Sequence, residues 1–516
     1  MKHGYVPKRA GLARRFLLAC AAGLISVSVS FPAAATERQR GGTLTLGLES
    51  ELNGFDVVHG GSLDPSGEIV MRAIQEPLLR YDYETGEILP LLAVDWSASE
   101  DETLWTLQLR EGVLFHDGSP FTADDVAAHY NRVLDPVQNA AGRATLSVID
   151  RVVAVEPHVV EFHLHHPWPA FLLMMGSTSI AGPIPSAANV EAGRQNRHPV
   201  GTGPFRLAQW SSGDRLVVER FPDYWAEDEI NLDRVVFRVL PDTQTRYASL
   251  QSGEIDVMWA DRGQIINDVA NHPALVHVAV DGGGAENILI NGRLPHLSDQ
   301  RVRAAIAHAW NQEALVRVSW QDTKPVVDHP LGGHVECGDV GYRAYDPDRA
   351  RELLADYGEP VEIEFIHTAT ARGRELGELV QFMLQDVGIT VQLVPVDQST
   401  LMRRVVTRDF GMSGWRIPDS PDLGPQLYAA VHSLSRTNNS GVSTPEMDAA
   451  AEAMRLAGTR DEALALQCEV VRHINEQVSM LWRGGGRYHV ISNQRAQDMP
   501  TPWRGIIDVT RMSVSD

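Results

Sequence analysis

Residues 109–126 read LREGVLFHDGSPFTADDV, and how this stretch folds decides the reading of the chain around it. Its left end closes a half-buried strand, because Trp105, Leu107 and Leu109 alternate with Thr106 and Gln108. His116-Asp117-Gly118 then supplies turn residues. Thr122 is a good helix N-cap, and Asp125 three residues on makes an acidic variant of the capping box. Phe121 and Val126 flank the cap as a hydrophobic staple. The stretch therefore predicts strand, turn and capped helix in succession.

The same alternation of strands and helices continues outward. Val160, Phe162 and Leu164 alternate with Glu161 and His163, and Val361, Ile363 and Phe365 with Glu362 and Glu364. Ser298 is expected to open a helix through Val302, Ile306 and Ala309, and Thr243 to cap one that Gly253 ends. Asp346-Pro347 and Thr444-Pro445 each place a cap before a proline at the first helical turn. Gly388 should end the helix that carries Leu379, Phe382 and Met383. The mixture makes the chain α/β or α+β. At 516 residues it is too long for one ordinary core and calls for two to four lobes. Loops rich in Gly and Pro near 54–67, 198–204 and 282–295 are candidate lobe crossings.

Lys8, Arg9, Arg14 and Arg15 precede an apolar run from Phe16 to Ser30 and then Ala33-Ala34-Ala35. This pattern reads as a secretory signal over 1–35, removed after Ala35. Cys20 follows Leu17-Leu18-Ala19, but cleavage there would leave almost no apolar run, so a soluble exported protein is expected rather than a lipid-anchored one. The whole chain carries a net charge of −22. Residues 1–35 hold five basic residues and no acid, so the remainder carries 40 basic against 67 acidic residues, a net of −27. Such a surface repels phosphate backbones, which argues against a nucleic-acid partner. Cys337 and Cys468 remain after cleavage. Export permits a disulfide, but a separation of 131 residues leaves the pairing open.

No zinc-protease, nucleophile-elbow or phosphate-loop motif occurs, and no catalytic pair or cofactor is expected. Gly282-Gly283-Gly284 lacks a following phosphate-binding Lys-Ser/Thr and reads as a flexible connector. His163, His165 and His166 lie at the end of a strand whose other face is apolar, so a solvated strand end is expected there, with metal binding as the competing reading.

The stretch 109–126 resembles the signature of the family 5 extracellular solute-binding proteins, the peptide/nickel-type receptors of ABC importers. Further blocks are similar to the family in the same order. They are Gly86-Glu87-Ile88-Leu89-Pro90 with Leu92-Ala93 and Trp96, Val200-Gly201-Thr202-Gly203-Pro204-Phe205, Asp223-Tyr224-Trp225, Ser252-Gly253-Glu254-Ile255-Asp256, Asp299-Gln300-Arg301-Val302-Arg303 and Tyr345-Asp346-Pro347. The resemblance runs from about Gly41 to the C-terminus. It implies an α/β bilobal periplasmic binding protein of type II, the large peptide-receptor class, with an extra inserted domain. Lobe I would be 41–80, 200–284 and 493–516, the inserted domain II 81–199, and lobe II 285–492. It also implies a periplasmic monomer that hands a peptide or small-molecule ligand to an ABC permease in the inner membrane. Relatives that carry nickel chelates, haem, glutathione, opines or sugars leave a non-peptide cargo as the alternative.

The resemblance places the ligand loop at Gly414-Trp415-Arg416-Ile417-Pro418-Asp419. Trp415 would pack on the ligand, Asp419 would pair with an α-ammonium, and Arg416 would grip a carboxylate or stack with Trp415. Competing structural roles are core packing for Trp415, an ion pair with Asp419 or Asp422 for Arg416, and a turn cap for Asp419. His59 and Ser62, after Asn53-Gly54-Phe55, resemble a second ligand-touching loop, and Asn287 after the second crossing is a further candidate. Tyr428 and His432, four apart, would share a helix face.

Overall fold

Strand Leu104–Leu109 and helix Ala123–Leu134 bracket the turn, as the opening stretch requires. Asp125 accepts from the Thr122 backbone N–H at 3.1 Å, and its other oxygen accepts from Ala187 N at 3.0 Å. The computed structural model describes residues 40–515, apart from 60–64, 83–84, 139, 141, 177–181, 271, 334, 421 and 504. The expected export signal and Cys20 fall outside the described residues, as does Ser62. Among the described residues no helix is long and apolar enough to cross a membrane.

Strand Leu104–Leu109 belongs to an antiparallel four-stranded sheet in the order 93–98, 104–109, 159–164, 149–156. Helix Ala123–Leu134 covers it with Val126, Tyr130 and Val133, which bury against Leu107, Val152, Val160 and Phe162. At about 1.5–3 kcal/mol per large apolar side chain removed from water, this cluster is a large stabilising contribution to the segment.

A second sheet has ten strands in the order 390–396, 362–368, 412–417, 275–290, 480–493, 257–260, 43–48, 234–239, 215–220, 205–211. Strand Thr43–Leu48 runs parallel to both its neighbours, and Glu362–Thr368 does the same at the other side. Parallel neighbours need crossover connections, which gives the α/β character. Separate apolar clusters lie at the two ends. Leu46, Phe205, Val235, Phe237 and Met512 belong to one, and Ile288, Val302, Phe365, Leu384 and Met412 to the other. Only the two long antiparallel strands Leu275–Ile290 and Met480–Asn493 lie between the two sets of strands.

Gly282–Gly284 is not a free connector. It sits inside strand Leu275–Ile290 at a register shift between Asp281 and Ala285, opposite Gly484-Gly485-Gly486 of the partner strand. Gly284 has φ +75°, and a Cβ on Gly486 would lie 2.5 Å from the Gly283 carbonyl oxygen. Glycine is required here because the two backbones meet where side chains would stand.

Two helix caps move by one residue. Asp242, not Thr243, caps helix Thr243–Gln251, and Asp299, not Ser298, caps Gln300–Ala309. In each case the carboxylate reaches the first-turn N–H groups from the residue next to the expected cap. Asp346, Thr444, Gly253 and Gly388 take the places expected of them.

Three of the sequence blocks that carry the resemblance, 109–126, 200–205 and 223–225, meet around one residue that the sequence reading passed over, Glu76. Its buried carboxyl accepts from Tyr224 Oη at 2.7 Å, Thr202 Oγ1 at 2.9 Å and Trp225 Nε1 at 3.1 Å. Burial pushes it up to about 7, against those donors and the nearby Arg110. Arg110 stacks over the Trp225 ring at 4.1 Å. His116 Nε2 donates to Gly203 O at 2.9 Å, and burial holds its imidazole down at about 4. Gly201 and Gly203 are glycine because a Cβ on either would strike the Ile74 backbone, at 2.2 and 2.6 Å.

Cys337 and Cys468 are joined in a disulfide, with Cα atoms 5.3 Å apart. It ties the segment around 331–340 to helix Arg460–Gln477.

Candidate ligand cavity

Strand Met412–Ile417 ends in a loop that turns into helix Gly424–Val431. Asp422 shapes the turn. Its carboxylate accepts from Gly424 N at 2.9 Å, Gln467 Nε2 at 2.8 Å and Trp168 Nε1 at 3.4 Å. Burial raises its pKa against these donors. Trp168 comes from the segment that carries the four-stranded sheet, so this carboxyl ties two parts of the chain together.

The loop forms one wall of a cavity of about 860 Å³. Gly282, Gly283, Arg143, Trp168, Leu464 and Gln467 also line it. That volume suits a ligand of several linked residues rather than a single ion.

Asp419 lies on the cavity and is 8% exposed. Its oxygens occupy the space that a Cβ on Gly282 or Gly283 would need, at 2.6 and 2.7 Å. The triple glycine thus admits the carboxylate against the strand. Tyr428 also lines the cavity. Its ring stacks on His432 at 4.6 Å and its hydroxyl donates to Glu452 at 2.9 Å.

Of the other sequence candidates that are described, Trp415, Arg416 and Asn287 do not line this cavity. Trp415 is half-buried on its strand and packs against Leu289, Leu401 and Phe410. Arg416, next on the strand, points to the opposite face, so the two cannot stack. Its side chain is exposed and has no ion pair with Asp419 or Asp422. Asn287 pairs across the sheet with both Trp415 and Trp482 and is fully buried, its amide atoms without a hydrogen-bond partner among the described residues. His59 ends the short turn Val57–His59, and its side chain lies outside the description. His163 lies near the end of the interior strand Val159–Leu164, with Glu161 at 3.2 Å and Arg151 at 3.3 Å. Among the described residues no group of three or more His, Cys, Asp or Glu side chains is placed to hold a metal ion.

Sequence reasoning missed Arg143, Trp168, Arg436, Arg460 and Trp503, all on the cavity. Each stands alone in a polar or irregular stretch, where no periodicity marks it.

A model of the bacterial extracellular solute-binding proteins, family 5 (middle region), matches residues 87–438. The glutathione-binding protein GsiB of Pectobacterium atrosepticum is 27% identical over 359 residues, 69% of this chain and 70% of that one. The dipeptide-binding protein of Escherichia coli is 27% identical over 377 residues, 66% of this chain and 69% of that one. The solved structure of the ABC transporter-associated periplasmic binding protein DppA from Helicobacter pylori, in complex with the peptide STSA, superposes with a TM-score of 0.81. It is 22% identical and covers 93% of this chain and 99% of that one.

Proposed function

This chain belongs to the bacterial extracellular solute-binding proteins of family 5 and has their bilobal α/β fold, and from that premise we propose that it is the periplasmic receptor of an ABC importer for a peptide or peptide-like solute. The observation that carries the cargo reading is the cavity of about 860 Å³ with Asp419 on its wall. A receptor needs an enclosed, partly apolar space with a few charged anchors and no reacting group. Asp419 would hold the ligand's ammonium.

The proposed division is lobe I at 41–80, 200–284 and 493–516, domain II at 81–199 and lobe II at 285–492. The separate apolar clusters support it, and the two glycine-bearing strands would be the crossing on which the lobes close. Export with removal of 1–35 fits the Cys337–Cys468 disulfide, which an oxidising compartment sustains. The closed form would be the one presented to the membrane permease.

Native mass spectrometry of residues 36–516, before and after mild denaturation, tests the reading. A released mass in the peptide range is the expected result. A released haem, metal chelate or sugar would replace the peptide cargo with a non-peptide one. Asp419→Ala is expected to weaken binding of the released ligand by about 2–5 kcal/mol, the usual cost of removing one partner of a buried charge pair. Arg416→Ala, outside the cavity, should leave Kd within about twofold, as surface substitutions do. Isothermal titration checks both, and an Asp419→Ala protein that binds like wild type would move the ligand elsewhere.

A further inference from the structure

Four arginines reach the cavity, Arg143, Arg436, Arg455 and Arg460. Arg455 is committed to Glu452 at 2.7 Å and lies over the Tyr428 ring at 5.5 Å. Arg143 donates through Nε to the Leu134 carbonyl at 2.9 Å. None of Arg143, Arg436 and Arg460 has a carboxylate within ion-pair distance among the described residues. Arg460 acts on Asp422 only from farther away.

The acids on the same walls are largely spoken for. Asp281 takes Arg487 at 2.9 Å, and Asp422 takes its three donors. Three guanidinium groups without ion pairs therefore share one cavity, in a protein whose charge without residues 1–35 is −27. At long range that surface repels anions, so an anionic solute must be held by local cations. The guanidinium fork matches a carboxylate with two parallel hydrogen bonds, which a point charge does not. The cavity is far larger than an inorganic anion, and Leu331, Val335, Met454 and Leu464 give it apolar wall.

We infer that the solute carries at least two anionic groups, the carboxylates of an acidic peptide-like molecule, and that Arg143, Arg436 and Arg460 receive them. The inference rests on the receptor reading above and sharpens its cargo. Arg143 stands in the segment assigned to domain II, and Arg436 and Arg460 in lobe II. A polyanionic cargo would thus be gripped from both sides and would reward closure, because only the closed form assembles all three cations around it.

The test uses residues 36–516 stripped of cargo by mild denaturation and refolded, with calorimetric titration of four probes: Glu-Ala-Glu, Ala-Ala-Ala, Lys-Ala-Lys and citrate. Glu-Ala-Glu is expected to bind at least about 30-fold tighter than Ala-Ala-Ala, with Lys-Ala-Lys weakest. The double variant Arg436→Ala/Arg460→Ala should lose about 100-fold for Glu-Ala-Glu and less than about threefold for Ala-Ala-Ala. Its unliganded melting temperature should stay at the wild-type value, since the two side chains carry no ion pair to lose. Equal binding of the neutral or basic tripeptide, or a double variant that keeps the acidic preference, overturns the inference and leaves the peptide receptor standing. Binding of citrate alone keeps the inference and removes the peptide reading. Wild-type protein that binds none of the four overturns both.

Discussion

Glu286→Gln is expected to lower the unfolding free energy by about 2–4 kcal/mol, somewhat below the full cost of breaking a buried ion pair by removing one partner, because Glu286 keeps 22% of its side chain exposed. Glu286 stands on the crossing strand Leu275–Ile290, where its carboxylate meets Lys324 Nζ at 2.6 Å and both Arg372 and Arg483 at 3.1 Å. Trp320 lies beneath Lys324 and Arg483, at 4.9 and 5.3 Å. Burial alone would push the Glu286 carboxyl up. The charges of Lys324, Arg483 and Arg372 override it and hold the group far below the usual carboxylate range. The amide would leave these cations facing one another. Arg483, with 9% of its side chain exposed, has nowhere to go, whereas Arg372 at 42% can turn to water or to Asp261, 3.5 Å away.

The pH dependence follows from the direction of the shift. A carboxyl depressed in the folded state contributes stability that is present above its unfolded pKa, near 4.3, and is lost as pH falls through the lower folded value. Wild-type protein should therefore keep this contribution from neutral pH down to about 4.5 and lose it below, while the variant shows a flatter acid limb. Urea unfolding at pH 7 and at a series of acidic values measures both. A loss below about 1 kcal/mol at pH 7 would mean that the cations rearrange freely, and the cluster would then count as surface.

Replacing Cys337 and Cys468 by serine should cost about 2–5 kcal/mol of stability. The bond closes a loop across 131 residues, and in the chain-entropy account a loop of that size restricts the unfolded chain by about 5 kcal/mol. The same bond holds the segment bearing Leu331 and Val335, which line the cavity, against helix Arg460–Gln477. Reduction should therefore weaken ligand binding as well as stability, through a wall that is less fixed. Denaturation with and without dithiothreitol, followed by titration of the reduced protein, separates the two effects. Identical unfolding midpoints would show that the thiols are not joined in the exported protein.

Local rules carried the fold a long way. The Thr122–Asp125 box, the Asp346-Pro347 start and the alternation around Phe162 each depend on near neighbours in sequence, and each takes its expected form. The errors also have local causes. Asp242 and Asp299 stand beside the caps that were expected, and either residue type at either position is a plausible start. Strand parity was the missed constraint at Trp415 and Arg416, because adjacent strand residues face opposite sides. The glycine run at 282–284 read as loose because its reason, an identical run 200 residues away and the Asp419 carboxylate, comes from tertiary contact. The cavity arginines were invisible for the same reason. Nothing near Arg436 or Arg460 in sequence shows that the two share a space with Arg143.

The junction at Glu76 bears on how such receptors diversify. Thr202, Tyr224, Trp225, Arg110 and His116 are among the residues by which the chain is recognised, and these five gather around one buried carboxyl and its neighbouring backbone. None of them lines the cavity. Selection that preserves the architecture and selection that alters diet therefore act on separate residues. A lineage can exchange one nutrient for another by rewriting a handful of loop and helix positions, while this junction stays intact.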